Sequence, residues 1–238
     1  MPVDLLAIAA HRDDVELTCA GTLLKAVDAG YRTGILDLTA GETGTRGSAE
    51  LRAAEAASAA EILGVSERRN AGLPDAHLEN SEAARRVVVE HIRHFAPRVV
   101  ILPFPVGRHP DHRIASELGR DACFLSGLAR YGVPGEPHRP HKILYALSYR
   151  EDPIKPTFVV DVSAQFARKL AAIHCYASQF DGAKAAGEIF PTGQDLYSLV
   201  ETQNAHYGSL IRTRYGEPFY TEETLAIEDV VALGVQSM

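Results

Sequence analysis

Short apolar runs alternate along the chain with longer segments in which apolar residues recur every three to four positions. This alternation predicts strands followed by helices, and hence a mainly parallel sheet. Val3–Ala10 is the first apolar run, and Leu17, Gly21 and Leu24 then recur at helical spacing. Arg98–Pro103 is an almost uninterrupted apolar run, which is typical of a buried parallel strand.

Caps and helix breakers place the remaining elements. Further strands are expected at 33–38, 69–73, 143–147 and 158–162, and further helices at 49–63, 81–95, 111–126 and about 194–212. Ser163 is expected to cap a helix with an apolar seam formed by Phe166, Leu170, Ile173, Ala177 and Phe180. The sequence has no internal repeat or long linker. It therefore predicts one α/β domain over residues 1–238, with a doubly wound, mainly parallel, Rossmann-like sheet and helices on both faces.

Composition narrows the class of protein. The chain has 238 residues and a net charge of −7, which argues against nonspecific binding to nucleic acid. No apolar run approaches the ~18 residues that span a bilayer, so we expect no membrane partner. The three cysteines are widely spaced and form no Cys-x-x-Cys pair. A disulfide framework or structural zinc site is therefore not expected, and the composition fits a reducing cytoplasm.

The segment His11-Arg12-Asp13-Asp14 lies between the first apolar run and the first predicted helix. Ligands of open α/β sheets bind where strands lead into such loops. Two adjacent aspartates repel each other, and a bound cation would offset that repulsion, for which His11 and Asp14 are suitable ligands. The alternative is that Asp13 or Asp14 only caps the helix.

A second segment, Arg108-His109-Pro110-Asp111-His112, follows another predicted strand and opens another helix. It should lie at the same edge of the sheet as the first segment. The two loops can bring together His11, Asp14 and one later histidine. Three such ligands with an open position describe a catalytic zinc site. By itself, the second segment could also be only a helix that begins with proline and has an acidic first turn.

The loop after the second strand, 39–48, contains glycines at positions 41, 44 and 47. A phosphate cradle is one interpretation, but a dinucleotide fingerprint should follow the first strand instead. Backbone flexibility near a site explains the glycines better. Arg52 lies in the first turn of the next helix, where a cation gains nothing from the helix dipole. This placement hints at a role for Arg52 in the loop.

The two motifs together resemble the LmbE-like (PIG-L type) N-acetylglucosaminyl deacetylases, whose pattern is Ala-His-Pro-Asp-Asp-Glu with a later His-Pro-Asp-His. The resemblance covers nearly the whole chain, with Arg12 in place of the family proline. Segments 176–180 and 215–219 resemble the branch that makes bacillithiol. The resemblance implies a homo-oligomer that uses zinc, or alternatively iron(II).

The same resemblance assigns roles to individual residues. It implies that the metal ligands are His11, Asp14 and His112. Asp13 matches the general base, and His109 matches a histidine that supports the tetrahedral intermediate or the leaving amine, with Asp111 behind it. The positions that match contacts to the sugar or the lining of the site are Arg52, Asp75 and Tyr197.

The expected activity is metal-dependent removal of acetate from an N-acetylglucosamine conjugate, and the substrate best resembled is N-acetylglucosaminyl malate. Arg108 would bind the malate carboxylates, because guanidinium groups pair bidentately with carboxylates; Arg12 is a second candidate. The alternatives are another N-acetylglucosaminide, such as a chitin fragment or an antibiotic intermediate, and a metal- or sugar-binding module without turnover. The carboxylate of Asp13, which is not expected to bind the metal, favours an enzyme over a binding module.

Overall fold

The computed structural model describes residues 2–147, 154–181 and 195–235. The strands are β1 (Leu5–Ala9), β2 (Thr33–Thr39), β3 (Glu67–Leu73), β4 (Val99–Pro103), β5 (Lys142–Ala146), β6 (Phe158–Asp161) and β7 (Gly216–Tyr220). The helices are α1 (Asp14–Thr18), α2 (Ala20–Asp28), α3 (Ala49–Leu63), α4 (Glu82–Phe95), α5 (Pro110–Leu125), α6 (Phe166–His174), α7 (Ala177–Phe180) and α8 (Leu196–Leu210). No helix in the described parts of the chain is long and apolar enough to cross a membrane.

The strands form one sheet in the order β3-β2-β1-β4-β5-β7-β6. The first five strands in this order are parallel, and β7 pairs antiparallel with both β5 and β6. The fold is therefore the predicted α/β class. The strand order reverses between β1 and β4, and the crevice at such a switch point is where open α/β sheets bind ligands.

Helices cover both faces of the sheet. One core contains Val88, Ile92, Phe95 and Leu118, which come from α4 and α5. The other core joins the strands to α2, α3 and α6 through side chains that include Leu23, Leu24, Ala56, Leu63 and Ala172. A third cluster, around Val162, Phe166 and Val200, packs α8 beside the helices of the second core.

The first predicted helix is in fact two helices, α1 and α2, with a break at Cys19. The break has a partner on β7. The Glu217 carboxylate accepts hydrogen bonds from the backbone N–H groups of Gly21 and Thr22, at 2.8 and 2.7 Å. It also accepts one from Lys169 at 2.7 Å. A carboxylate from a distant strand thus accepts hydrogen bonds from the free N–H donors at the start of α2. Local sequence patterns do not reveal this partner.

The expected helix after Ser163 is also divided, into α6 and α7, and Ser163 does not cap it. The N-cap residue is Gln165, and the Ser163 hydroxyl instead donates to Asp161 at 2.6 Å. Strand β7 falls in a segment without a predicted element, since its Pro and Glu weaken the apolar pattern. Gln194, where the last helix was expected to begin, lies outside the described residues.

Candidate metal and catalytic site

The two histidine-containing segments follow β1 and β4, the neighbouring strands between which the sheet order reverses. His11 and Asp14 come from the β1–α1 junction. His109 is the N-cap residue of α5, and His112 lies in the first turn of that helix. The rings of His11 and His112 have centroids 5.4 Å apart, and those of His11 and His109 are 4.8 Å apart. The fold therefore brings the two motifs into one site.

His11, Asp14 and His112 present ligand-type atoms to one another. His11 Nδ1 lies 3.2 Å from one Asp14 carboxylate oxygen, and His112 Nε2 lies 3.1 Å from the other. The three ligand atoms all lie within 4.8 Å of one another. Two imidazoles and one carboxylate suit zinc or another divalent transition metal, so the residues present fit a metal ion.

The charges of the site also favour a cation. Burial disfavours the charged form of His11, but Asp14 and Asp75 outweigh it and raise the pKa of His11 to about 11. Burial likewise disfavours the ionised form of Asp14, yet His112 and His11 hold its pKa well below the ordinary value. Without a metal, protonated histidine thus supplies the positive charge, and a bound divalent ion would replace it.

A second group, His11, His109 and Asp111, also has its ligand atoms close together. Asp111 is only 2% exposed, and its carboxylate already accepts a hydrogen bond from the Ala76 backbone at 2.8 Å. His11, Asp14 and His112, by contrast, all line the cavity described below. A substrate could therefore reach an ion held by the first group, which makes that group the better candidate.

Asp13 is the N-cap residue of α1, but its side chain makes no capping hydrogen bond. One of its oxygens instead lies 3.4 Å from Arg52 Nη2. Burial and the neighbouring Asp14 raise the pKa of Asp13, although Arg52 and His11 oppose this effect. A carboxylate whose pKa is moved toward neutrality is suited to accept a proton from water.

His109 faces the same site with a defined hydrogen-bonding pattern. Its Nδ1 accepts a hydrogen bond from the Asp111 backbone N–H at 3.2 Å. Burial and the two neighbouring histidines, His11 and His112, lower the pKa of His109. The neutral ring therefore carries its proton on Nε2, where it can donate a hydrogen bond.

Asp75 and Asp111 lie behind His11. Their carboxylates are 3.2 and 3.4 Å from His11 Nε2. The other oxygen of Asp75 accepts hydrogen bonds from the backbone and hydroxyl of Thr43, at 2.9 and 2.7 Å. Carboxylates of this kind orient a metal-binding histidine through its remote nitrogen. The structure thus gives Asp75 a position that supports His11, and Asp75 also lines the cavity described below.

The glycine-rich loop accommodates Arg52. Gly41 has φ +70°, and a Cβ there would lie 2.1 Å from Arg52 Nη1. The carbonyl of Gly41 accepts a hydrogen bond from this guanidinium at 3.0 Å. The glycine is therefore explained by close packing against an arginine. Arg12 also fixes this loop, because it donates to the carbonyl of Ala49 at 2.5 Å.

A buried polar network beneath the first loop was not predicted. Arg68 on β3 pairs with Asp37 at 2.8 Å and with Glu16 at 2.6 Å. Arg68 and the Tyr176 hydroxyl both donate to the carbonyl of Arg12, the residue that follows His11. The network therefore supports the loop through β2, β3, α1 and the residue that caps α7. A polar residue in an apolar strand, Asp37, is the one signal of it in the sequence.

A cavity of about 460 Å³ opens above the site. His11, Asp13, Asp14, His109 and His112 line it, and so do Arg52, Asp75 and Arg108. Tyr197 is not among its described lining residues. Its hydroxyl donates to Asp181 at 2.8 Å, and its ring stacks on His174 with centroids 3.9 Å apart.

Comparisons with known proteins agree with this fold. The family described as GlcNAc-PI de-N-acetylase (PIG-L) matches residues 6–123. A diacetylchitobiose deacetylase from Thermococcus kodakarensis is 30% identical over 232 residues, which cover 90% of this chain and 80% of that protein.

Two solved structures are similar over most of their length. A conserved protein from Thermus thermophilus has a TM-score of 0.85 and 36% identity, with 95% of this chain and 98% of that chain covered. The N,N'-diacetylchitobiose deacetylase from Pyrococcus horikoshii has a TM-score of 0.77 and 26% identity, with 91% and 82% covered. The chain therefore belongs to the PIG-L (LmbE-like) deacetylase family.

Proposed function

We propose that the protein hydrolyses the N-acetyl group of an N-acetylglucosamine conjugate with the help of a bound divalent metal ion. The observation that carries the proposal is Asp13, which lies beside the three potential ligands but is not one of them. A binding module needs no such carboxylate, whereas a hydrolase needs a base for water. The similarity to two diacetylchitobiose deacetylases supports the same activity.

The proposed ligands are His11, Asp14 and His112. Because Nε2 of His11 faces Asp75, Nδ1 on the Asp14 side is the atom available to the metal. The ion would polarise the acetyl carbonyl and lower the pKa of water toward ~7. Zinc is our first assignment and iron(II) the alternative, because imidazole and carboxylate ligands serve both.

The side chains of this protein would carry the proton and stabilise the charge. Asp13 accepts a proton from water as the water oxygen bonds to the acyl carbon. His109 donates its Nε2–H to the carbonyl oxygen as that oxygen becomes negative. The C–N bond then breaks, and Asp13 returns its proton to the departing amine. The products are acetate and a free amino sugar.

For the substrate we propose N-acetylglucosaminyl malate, as in bacillithiol synthesis. Arg108 lines the cavity next to His109 and could pair with a malate carboxylate. Another N-acetylglucosaminide is the second candidate, and the similarity to two diacetylchitobiose deacetylases favours it. The two candidate substrates differ in the group that is attached to the amino sugar, and this group would occupy the mouth of the cavity.

We also propose a homo-oligomer in the cytoplasm. Apolar side chains in the tail after β7 support an assembly, because Val230, Val231 and Val235 are 77, 91 and 65% exposed in the single chain. Light scattering of the purified protein measures its mass in solution, and a monomer would contradict this proposal.

Amine release from a small panel of substrates tests the proposed function. The panel contains N-acetylglucosamine, its malate conjugate and diacetylchitobiose, assayed with zinc-loaded protein and again after treatment with a chelator. We expect at least one amide to be hydrolysed, with loss of activity in chelator and recovery on zinc addition. Stable zinc binding without amine release from any of the three would support the binding module instead.

A further inference from the structure

The guanidinium of Arg52 joins the glycine-rich loop to Asp13. Its Nη1 donates a hydrogen bond to the carbonyl of Gly41 at 3.0 Å, and its Nη2 lies 3.4 Å from Asp13 Oδ1. The side chains of Arg52 and Asp13 are only 6 and 14% exposed. Because a partly buried charge pair is screened less than an exposed one, this contact can fix the orientation of the Asp13 carboxylate.

Helix α3, which carries Arg52, is itself anchored beside the site. Ser48 caps its first turn by accepting a hydrogen bond from the Leu51 N–H at 3.2 Å. One turn after Arg52, the Glu55 carboxylate accepts hydrogen bonds from the backbone and hydroxyl of Ser178, at 2.8 and 2.7 Å. The guanidinium therefore extends from a fixed element, which is what precise placement of a functional group requires.

Two glycines leave space for the guanidinium. A Cβ at Gly41 would lie 2.1 Å from Arg52 Nη1, and a Cβ at Gly44 would lie 3.0 Å from the same atom. A side chain at either position would crowd the guanidinium away from its place. The glycines of this loop thus keep Arg52 within reach of Asp13.

Asp13 occupies the position of a helix cap without acting as one. It is the N-cap residue of α1, where a carboxylate commonly accepts a hydrogen bond from a free N–H group of the helix. Its side chain makes no such bond. The carboxylate lies against Arg52 instead, and both residues line the cavity.

The burial of Arg52 separates this role from direct contact with a sugar. Arg52 is 5% exposed, and its Nε is buried without a hydrogen-bond partner among the described residues. Its Nη1 and Nη2 already contact Gly41 and Asp13. A sugar in the cavity would therefore meet little of the guanidinium, whereas Asp13 contacts it directly.

We propose that Arg52 is a positioning residue for Asp13. It holds Oδ1, so that Oδ2 takes the proton from the water that attacks the acyl carbon. The inference rests on the proposed amide hydrolysis and adds a residue that acts through the base. The path of the proton is the one described above, from water to Asp13 and then to the departing amine. The competing role is the sugar contact that the family resemblance implies.

Steady-state kinetics of Arg52→Met at wild-type zinc content separate the two roles, with the amide of the panel that wild type hydrolyses fastest. Misplacement of the base should lower kcat by ~10- to 100-fold, with KM within about threefold of wild type. Arg69→Met, whose side chain on β3 is 39% exposed, is the matched control. A raised KM with nearly unchanged kcat would indicate a sugar contact and overturn the proposal.

A double variant shows whether Arg52 acts through Asp13. If it does, Arg52→Met combined with Asp13→Asn should have a kcat within ~twofold of Asp13→Asn alone, because the base is already lost. Independent roles would multiply. The double variant would then be slower than Asp13→Asn by the same factor that separates Arg52→Met from wild type, and this result would overturn the proposal.

Gly41→Ala displaces the guanidinium while both charged side chains remain, and it serves as the second variant if Arg52→Met does not fold. We expect kcat to fall at least ~tenfold. Gly30→Ala is the matched control, since Gly30 also has a positive φ, +84° against +70° for Gly41, but a Cβ there meets nothing within 4 Å. A kcat equal to that of the control in folded Gly41→Ala would contradict the proposal.

Thermal unfolding at a fixed zinc concentration gives a readout that does not depend on turnover. For a direct contact, the Tm changes of Arg52→Met and Asp13→Asn should depart from additivity in the double variant by ~2 °C or more. Additive changes would overturn the proposal. If wild type hydrolyses no amide of the panel but the Tm changes are not additive, the proposed function fails and the contact between Arg52 and Asp13 stands.

Discussion

Replacement of Arg68 by methionine tests whether the buried network supports the candidate site. The Arg68 guanidinium donates to both oxygens of Asp37, at 2.8 and 2.9 Å, and to Glu16 at 2.6 Å. It also donates to the carbonyl of Arg12. Methionine keeps much of the side-chain length but removes every one of these donors.

The expected cost follows from what Arg68→Met leaves behind. Asp37 is 2% exposed and Glu16 is fully buried, so both carboxylates would lose their cation inside the protein. Removal of one partner from a buried ion pair costs ~3–5 kcal/mol. A chain of this size loses ~2–4 °C in Tm for each kcal/mol, which gives an expected decrease of ~6–20 °C.

Thermal unfolding followed by circular dichroism, at a fixed zinc concentration, measures this decrease. Arg69→Met is the matched control on the same strand, because Arg69 is 39% exposed and lies 3.4 Å from Glu67. Such surface pairs contribute ~0–1 kcal/mol. Adding Asp37→Asn and Glu16→Gln to Arg68→Met should recover part of the stability. The control should melt within ~4 °C of wild type. If Arg68→Met did so too, the network would not stabilise the protein as we describe.

Two further predictions concern the metal and the substrate. His112→Ala should reduce zinc affinity by more than the ~10- to 100-fold that loss of a supporting partner costs, whereas His109→Ala should retain zinc. Metal analysis after dialysis measures both variants. If His109→Ala lost more zinc than His112→Ala, the group that contains His109 and Asp111 would be favoured instead. Arg108→Ala should lower kcat/KM for the malate conjugate relative to that for N-acetylglucosamine by roughly one to two powers of ten, because this factor corresponds to the free energy of a partly buried charge-assisted pair. An equal loss on both substrates would remove the support for malate.

The sequence predicted the elements that build the site better than the elements that surround it. Apolar runs identified β1 and β4, and the parallel arrangement brought His11 and His112 to one edge of the sheet. These features depend on local periodicity and on general rules of α/β folds. The break at Cys19 depends instead on Glu217, nearly two hundred residues away, so no local pattern could reveal it.

Contacts between side chains account for what else the sequence did not reveal. The position of Asp75 behind His11 depends on contacts between separate loops. Tyr197 was assigned from the resemblance alone and stays a prediction; its hydroxyl donates to Asp181. Gly41 was interpreted as a source of flexibility, but its conformation makes room for Arg52. Each of these outcomes depends on which side chains meet in three dimensions, and spacing along the chain does not determine that.

The central claim is that Asp13 acts as the base beside a metal that it does not bind. Acetate release by Asp13→Asn and by wild type, compared at equal zinc content, tests it most directly. Asp121→Asn on α5, where the side chain is 45% exposed, is the control for the substitution itself. We predict that Asp13→Asn binds zinc as wild type does and loses ~10²- to 10⁴-fold in kcat. Near-normal turnover by zinc-loaded Asp13→Asn would contradict the account.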